Sequence, residues 1–290
     1  MAASDLCSEI LKQAQGVQME EGLEKKVCQA FMAHLSDKSL EVQANAVKCI
    51  QKIAPRIREK HLILIVELMA EIVVTGEKDT RDIYSLAIRG ITGEISEDNA
   101  ATMIKAVYPK LVLGFGQGKT EEVREECLEI LGEIFRRFPA LLLKKDDLVK
   151  KDQLMAIIPE QLNFAKTSLR KKATNCLGAF SVILNMRQLQ QLIRLIVDKL
   201  KTRKDKTDFL THVQCFGWIA RNVGNKISKE QVAEVFPLLN GTTAQVIQSK
   251  QSNDLDNEIA EACLFTIESL VRKAPKEVEQ FIEPVLTLAR

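Results

Sequence analysis

Along the chain a branched or apolar residue is followed four positions later by a small one and eight positions later by an aliphatic one. The triplet reads Val42, Ala46, Ile50; Ile83, Ala87, Ile91; Val123, Cys127, Leu131; Leu169, Ala173, Leu177; Thr211, Cys215, Ile219; and Ile259, Cys263, Ile267. Offsets of 0, 4 and 8 fall on one face of an α-helix, so each triplet predicts an amphipathic helix. The anchors lie 41, 40, 46, 42 and 48 residues apart. A second amphipathic segment precedes each anchor, over residues 23–35, 62–74, 101–113, 153–165, 188–200 and 229–239. A period of about 40–47 residues made of helix pairs is the signature of HEAT-type repeats. The expected fold is therefore all-α, a HEAT-repeat solenoid forming an alpha-alpha superhelix. It reads as a single array over 1–290, with units near 1–57, 58–97, 98–140, 141–185, 186–226 and 227–275 and an incomplete one at 276–290.

Local signals agree with helix pairs. Ser228-Lys229-Glu230-Gln231 is a capping box, and Thr120 is placed to cap a helix that opens with Glu121 and Glu122. Pro109, Pro159, Pro237 and Pro284 fall inside first helices as tolerated kinks, whereas Pro55, Pro139 and Pro275 follow second helices as stops. Helices of one hairpin pack at about 8–10 Å, so a small side chain at offset 4 lets them approach. Cys127, Cys215 and Cys263 occupy that offset, and Cys49 and Cys176 lie on the same side. These thiols read as small core hydrophobes.

Composition narrows the class further. The 13 Gly and 7 Pro make about 7% of 290 residues, against roughly 12% in average usage. Aromatics are 5% and hydrophobic residues 46%, which disfavours an all-β sandwich and a disordered chain. Lys plus Arg (41) nearly balances Asp plus Glu (39), so no chain-wide field draws nucleic acid or an anionic membrane. The longest nearly apolar stretch, 62–74, is too short to span a bilayer and is broken by Glu67 and Glu71. The first residues show no basic region followed by an apolar run, and seven cysteines without a CxxC pair read as reduced thiols. A cytoplasmic and nuclear protein is expected.

Candidate chemistry is sparse. Residues 114–120, Gly-Phe-Gly-Gln-Gly-Lys-Thr, resemble the end of a phosphate-binding loop, but Leu113 stands where that pattern needs its first Gly. The segment before it is helical where a strand is required, so the stretch reads as a turn within a repeat. His34, His61 and His212 fall in separate repeats without ligand spacing, and no Ser/His/Asp or Cys/His arrangement stands out. No enzyme, metal, cofactor or small-molecule substrate is expected. Basic clusters occur at Lys144-Lys145, Lys150-Lys151, Arg170-Lys171-Lys172 and across 199–206, with Arg136-Arg137 and Arg272-Lys273 near the ends of second helices. They read as solvated turns or as a stripe facing an acidic protein. Nucleic acid does not fit, because no aromatics interleave with them.

Specific motifs carry a resemblance. Glu41-Val42-Gln43 with Ala46-Val47-Lys48-Cys49, then Arg81-Asp82-Ile83 with Gly93-Glu94, resemble opening repeats of the cullin-associated, neddylation-dissociated (TATA-binding-protein-interacting) family. Leu169-Arg170-Lys171-Lys172 with Leu177-Gly178, and Gln214-Cys215 with Ile219-Ala220-Arg221, follow in the family's order. Glu268-Ser269, Val271-Arg272-Lys273 and Pro275-Lys276-Glu277-Val278 extend the match to the end of the chain.

That resemblance implies a function without chemistry. Family members wrap the cullin–RING core of ubiquitin ligases, bind cullin lacking its ubiquitin-like modifier, block the modified lysine and exchange substrate receptors. Their N-terminal repeats, the part matched here, hold the cullin C-terminal region and its RING subunit. The family is several times longer, and Arg290 falls within a first helix whose Phe281, Ile282, Val285 and Leu286 lack a covering partner. The chain thus reads as a fragment or a shortened relative, monomeric when free. Second helices of HEAT units line the concave side, so residues off the 0/4/8 face are the candidates for partner contact: Lys48, Lys52, Tyr84, Arg124, Lys171 and Arg221. Trp218, the only Trp, reads either as core or as an interface anchor. The alternative is a generic HEAT scaffold or transport-receptor-like protein.

Overall fold

A computed structural model describes the backbone of residues 2–12, 19–202, 204–249 and 253–288, and the side chains of these except 2–4 and 282–288. Among the described residues every regular element is helical. The chain divides into two compact units, residues 1–150 and 151–290. No described helix is long and apolar enough to cross a membrane.

Unit 1 contains α1 (Ala2–Lys12), α2 (Glu21–Leu35), α3 (Leu40–Ile53), α4 (Glu59–Thr75), α5 (Lys78–Glu94), α6 (Glu97–Leu113), α7 (Glu121–Arg137) and the short α8 (Pro139–Lys144). Hairpins α2–α3, α4–α5 and α6–α7 stack so that α1, α3, α5 and α7 form one layer and α2, α4 and α6 the other. Unit 2 contains α9 (Lys151–Glu160), α10 (Thr167–Ile183), α11 (Met186–Lys201), α12 (Lys206–Val223), α13 (Lys229–Gln248), α14 (Asp254–Lys273) and α15 (Pro275–Leu288). Here α10, α12 and α14 make one layer, and α9, α11, α13 and α15 pack in succession as the other.

The offset pattern accounts for the core. Ala46, Ala87, Cys127, Ala173, Cys215 and Cys263 have no exposed surface, and the residues four further on are equally enclosed or nearly so. Val42 and Ile83, the first two anchors, are only half-buried. All seven cysteines are buried and free. Burial pushes the Cys127 and Cys263 thiols up to about 12 and raises that of Cys215 as well. They are packing groups in their protonated form, which matches their expected role.

Pro109, Pro159 and Pro237 lie inside α6, α9 and α13. Pro139 and Pro275 begin new helices rather than only ending old ones, a role that suits a residue without an N–H. Ser228 and Gln231 form the expected capping box, and Thr120 Oγ1 accepts the Val123 N–H at 3.4 Å. Asn185–Gln188 and Asn253–Asp256 form two further boxes. Phe281 of α15 stacks on Phe236 at 5.1 Å. The side chains of Ile282, Val285 and Leu286 lie outside the described residues, as does Arg203.

The glycine-rich stretch is a turn, and its suggestive residues have structural employment. Gly118 has φ +79°, a conformation a side chain would strain. Lys119 Nζ donates to the Val74 carbonyl at 3.0 Å, at the end of α4. Thr120 caps α7. Arg124 ties the turn down, donating to the carbonyls of Phe115 (3.0 Å), Gly116 (2.9 Å) and Lys119 (3.4 Å).

Candidate partner-binding face

The layer formed by α10, α12 and α14 is drawn together at main-chain distance. A Cβ placed on Gly178 of α10 would lie 2.8 Å from Trp218 Cβ of α12. One placed on Gly217 of α12 would lie 2.6 Å from Thr266 Oγ1 of α14 and 3.0 Å from the Phe265 ring. Hydrogen bonds stitch the same seams. Asn222 Nδ2 donates to the Gly178 carbonyl at 2.9 Å, and Thr266 Oγ1 to the Val213 carbonyl at 3.2 Å. Arg170 Nε donates to Thr211 Oγ1 at 3.2 Å.

Close approach of the backbones displaces the larger side chains to the open side. Trp218 and Phe265 lie there half-buried, their rings 5.4 Å apart and tilted by 56°. The Arg221 guanidinium sits 5.6 Å from the Trp218 ring and 5.5 Å from the Phe265 ring. Beside the rings runs a groove of about 480 Å³. Lys171, Thr174 and Asn175 line it from α10, Gln214 and Trp218 from α12, and Glu258, Glu261 and Phe265 from α14. Thr174 is 2% exposed, and its Oγ1 has no hydrogen-bond partner among the described residues. A second hollow, lined by Arg221, Asn222, Glu268, Ser269, Arg272 and Lys273, follows towards the C-terminal ends of α12 and α14.

The candidate residues named from the sequence divide by burial. Lys171, Trp218 and Arg221 come together around this face. Lys48 and Lys52 are exposed on α3, which belongs to unit 1. Tyr84 and Arg124 are corrected: neither is free to meet a partner. Tyr84 is 2% exposed and its hydroxyl is 2.9 Å from Ser36 Oγ. Arg124 is 9% exposed and holds the turn described above. Both stand one residue after an anchor, a position 100° around the helix. In a stacked layer that flank meets the preceding turn or helix instead of solvent.

Phe265, Thr174, Glu258 and Glu261 were missed by the sequence reading. Their offsets relative to the anchors (6, 5, −1 and 2) follow no single face, so only the packing of three helices reveals the set. Several basic residues outside the groove are paired: Lys201 with Glu234, Lys206 with Asp256, Arg136 with Glu133 and Arg272 with Glu268. His212 is buried, its Nδ1 2.8 Å from the Asp208 carbonyl oxygen, and desolvation draws its pKa down despite that contact. Among the described residues no group of three or more His, Cys, Asp or Glu side chains is placed to hold a metal ion.

No family model matches the chain. It is 24% identical over 290 residues to the Cullin-associated NEDD8-dissociated protein 1 of Arabidopsis thaliana, which covers 99% of this chain and 23% of that protein. It is 25% identical over 296 residues to Cullin-associated NEDD8-dissociated protein 2 of Rattus norvegicus, covering 99% and 22%. The chain therefore spans less than a quarter of the length of these relatives. Among solved structures, yeast importin-β (Kap95p) matches 99% of this chain and 35% of its own at 13% identity, with a TM-score of 0.65. Kap95p in the structure describing its binding to RanGDP matches with a TM-score of 0.67 at 15% identity, covering 99% and 36%. Those two likenesses establish the HEAT-type fold, and over almost its whole length the chain resembles Cullin-associated NEDD8-dissociated proteins.

Proposed function

We propose that this chain is the partner-holding part of a non-catalytic repeat scaffold that associates with a cullin. On this reading it takes the cullin without its ubiquitin-like modifier, at the C-terminal region and RING subunit, and serves substrate-receptor exchange in a longer assembly. The similarity over 99% of the chain to proteins named for cullin association and NEDD8 dissociation carries the reading. The face around Trp218 supports it physically. A half-buried Trp beside an Arg, ringed by polar side chains, has the composition of an interface anchor. The free chain is a monomer on this reading, placed in the cytoplasm and nucleus where cullins would meet it.

A pull-down with immobilised chain tests the proposal. Unmodified cullin–RING complex is expected to be retained and the NEDD8-bearing complex to flow through. Equal retention of both forms, or of neither, would reject it. The importin-β likeness favours one second reading, a transport-receptor-like scaffold. Retention of a Ran-family GTPase in place of cullin would favour that reading.

A further inference from the structure

We infer that the groove between α10, α12 and α14 seats an arginine side chain presented by a segment of a partner protein, its guanidinium held between the Trp218 ring and the carboxylates of Glu258 and Glu261. This rests on reading that face as partner-facing, and it goes further by naming the ligand chemistry. Three features of the groove define its occupant.

The first is the acidic wall. Glu258 and Glu261 are one turn apart on α14, both exposed, and neither forms an ion pair among the described residues. The second is the aromatic wall. Trp218 and Phe265 already accept one guanidinium from Arg221, which lines the neighbouring hollow and not this groove. Trp is the ring that attracts cations best. The third is the buried Thr174 hydroxyl without a partner, at the wall contributed by α10. A buried hydroxyl left unpaired is costly, and an incoming polar group relieves it.

Each feature selects among occupants. An apolar helix would bury two carboxylates and leave the Thr174 hydroxyl unpaired, which opposes binding. An acidic segment would place like charges against Glu258 and Glu261. Lysine brings a compact charge with three donors. Arginine brings a planar fork of five N–H donors, able to use both carboxylates while its flat face lies on the indole. The Gln214 and Asn175 amide oxygens supply further acceptors in the same groove. Lys171, on the opposite wall, is then free to meet a backbone carbonyl of the same segment, beside the Thr174 hydroxyl.

Trp218 is the only Trp in the chain, so its fluorescence reports the groove directly. The full chain is titrated with acetyl-Gly-Arg-Gly-amide and with the matching lysine, citrulline and glutamate peptides. The arginine peptide is expected to change the emission saturably, with lysine several-fold weaker and citrulline and glutamate without effect. Glu258→Gln combined with Glu261→Gln is expected to weaken the arginine response at least tenfold. The isosteric Thr174→Val is expected to weaken it a few-fold. Circular dichroism and a cooperative melting transition no lower than that of the parent chain certify that the variants fold. Citrulline matching arginine, glutamate exceeding it, no response to arginine, or an unaffected double variant would each overturn the inference. Should cullin retention fail while the peptide binds, the seat stands and the cullin reading falls. Should cullin bind and the peptide not, the seat alone falls.

Discussion

Arg58 places its guanidinium 2.7 Å from the carboxylate of Glu24, a side chain with no exposed surface. The other carboxylate oxygen accepts the Arg58 backbone N–H at 2.9 Å and lies 2.6 Å from His61 Nδ1. Arg58 Nη2 donates in turn to the Met19 carbonyl at 2.6 Å. One acid in α2 thus holds the start of α4. Removing a partner from a buried ion pair typically costs 3–5 kcal/mol, and the Arg58 side chain is 24% exposed, which lessens the penalty. Glu24→Ala is expected to lower unfolding stability by about 2–3 kcal/mol, read as a shifted urea midpoint. Glu24→Gln, which keeps an acceptor, is expected to lose about half as much.

Two glycines in the second-helix layers should respond oppositely to alanine. At Gly178 the added methyl meets Trp218 Cβ, an atom fixed to the backbone, and the helices must part. Overpacking of this kind costs about 1–3 kcal/mol against a helix-propensity gain near 1 kcal/mol. Gly178→Ala is expected to destabilise by up to about 2 kcal/mol and to shift Trp218 emission. At Gly90 the methyl would overlap Nε2, Cδ and Cγ of the half-exposed Gln51 side chain and no backbone atom, so a change of Gln51 rotamer towards solvent makes the room. Gly90→Ala is expected to be neutral or stabilising by up to about 1 kcal/mol.

The buried thiols set a pH dependence with a definite sign. Unfolded cysteine loses its proton near 9, whereas burial holds Cys28, Cys127 and Cys263 protonated up to about 12. Between those values the folded state binds more protons than the unfolded state, so stability falls as pH rises. The limiting slope is about 1.4 kcal/mol per pH unit for each such thiol. Urea midpoints are expected to be flat in this respect below pH 8 and to drop steeply from pH 9 to 11. The same burial predicts that a thiol reagent at pH 8 finds almost none of the seven cysteines until denaturant is added.

Binding and stability should separate at the corrected positions. Trp218→Ala is expected to weaken cullin retention at least tenfold with the helical signal preserved, since the side chain is only half-buried. Tyr84→Phe removes a hydroxyl bonded to Ser36 and is expected to cost about 1 kcal/mol of stability. It should leave retention unchanged. Arg124→Met is expected to release the turn at 114–119, visible as faster proteolytic nicking there, again without effect on retention.

Periodicity made the helices legible because a 3.6-residue repeat is written in side-chain type. The residues 229–239 expected as a helix proved to be only the first half of α13 (Lys229–Gln248), whose later turns are more polar. The short α8 was not anticipated, since six residues are too few to show a period. The candidate face was half legible. The off-face rule named Lys171 and Arg221, and Trp218 was named as the only Trp; the packing gathers these three, whereas the same rule also named Tyr84 and Arg124, which are buried. An anchor rule describes one side of a helix, whereas a helix inside a layer is covered on its flanks too. Thr174 was invisible in principle, because a missing partner is a property of the packed neighbours and not of a string of letters.

The contacts at Gly178 and Gly217 also limit how unit 2 can move. The space a methyl would take is already filled by Trp218 Cβ at Gly178 and by Thr266 Oγ1 and the Phe265 ring at Gly217, so little compression is left at either seam, whereas separation remains open. Thermal breathing of α10, α12 and α14 at these crossings is therefore one-sided, like a coil spring resting at its closed length. On the proposed reading, a segment arriving at the groove meets walls that yield outward but do not clamp inward, so discrimination rests on the charge and hydrogen-bonding groups of the lining side chains rather than on closure around it.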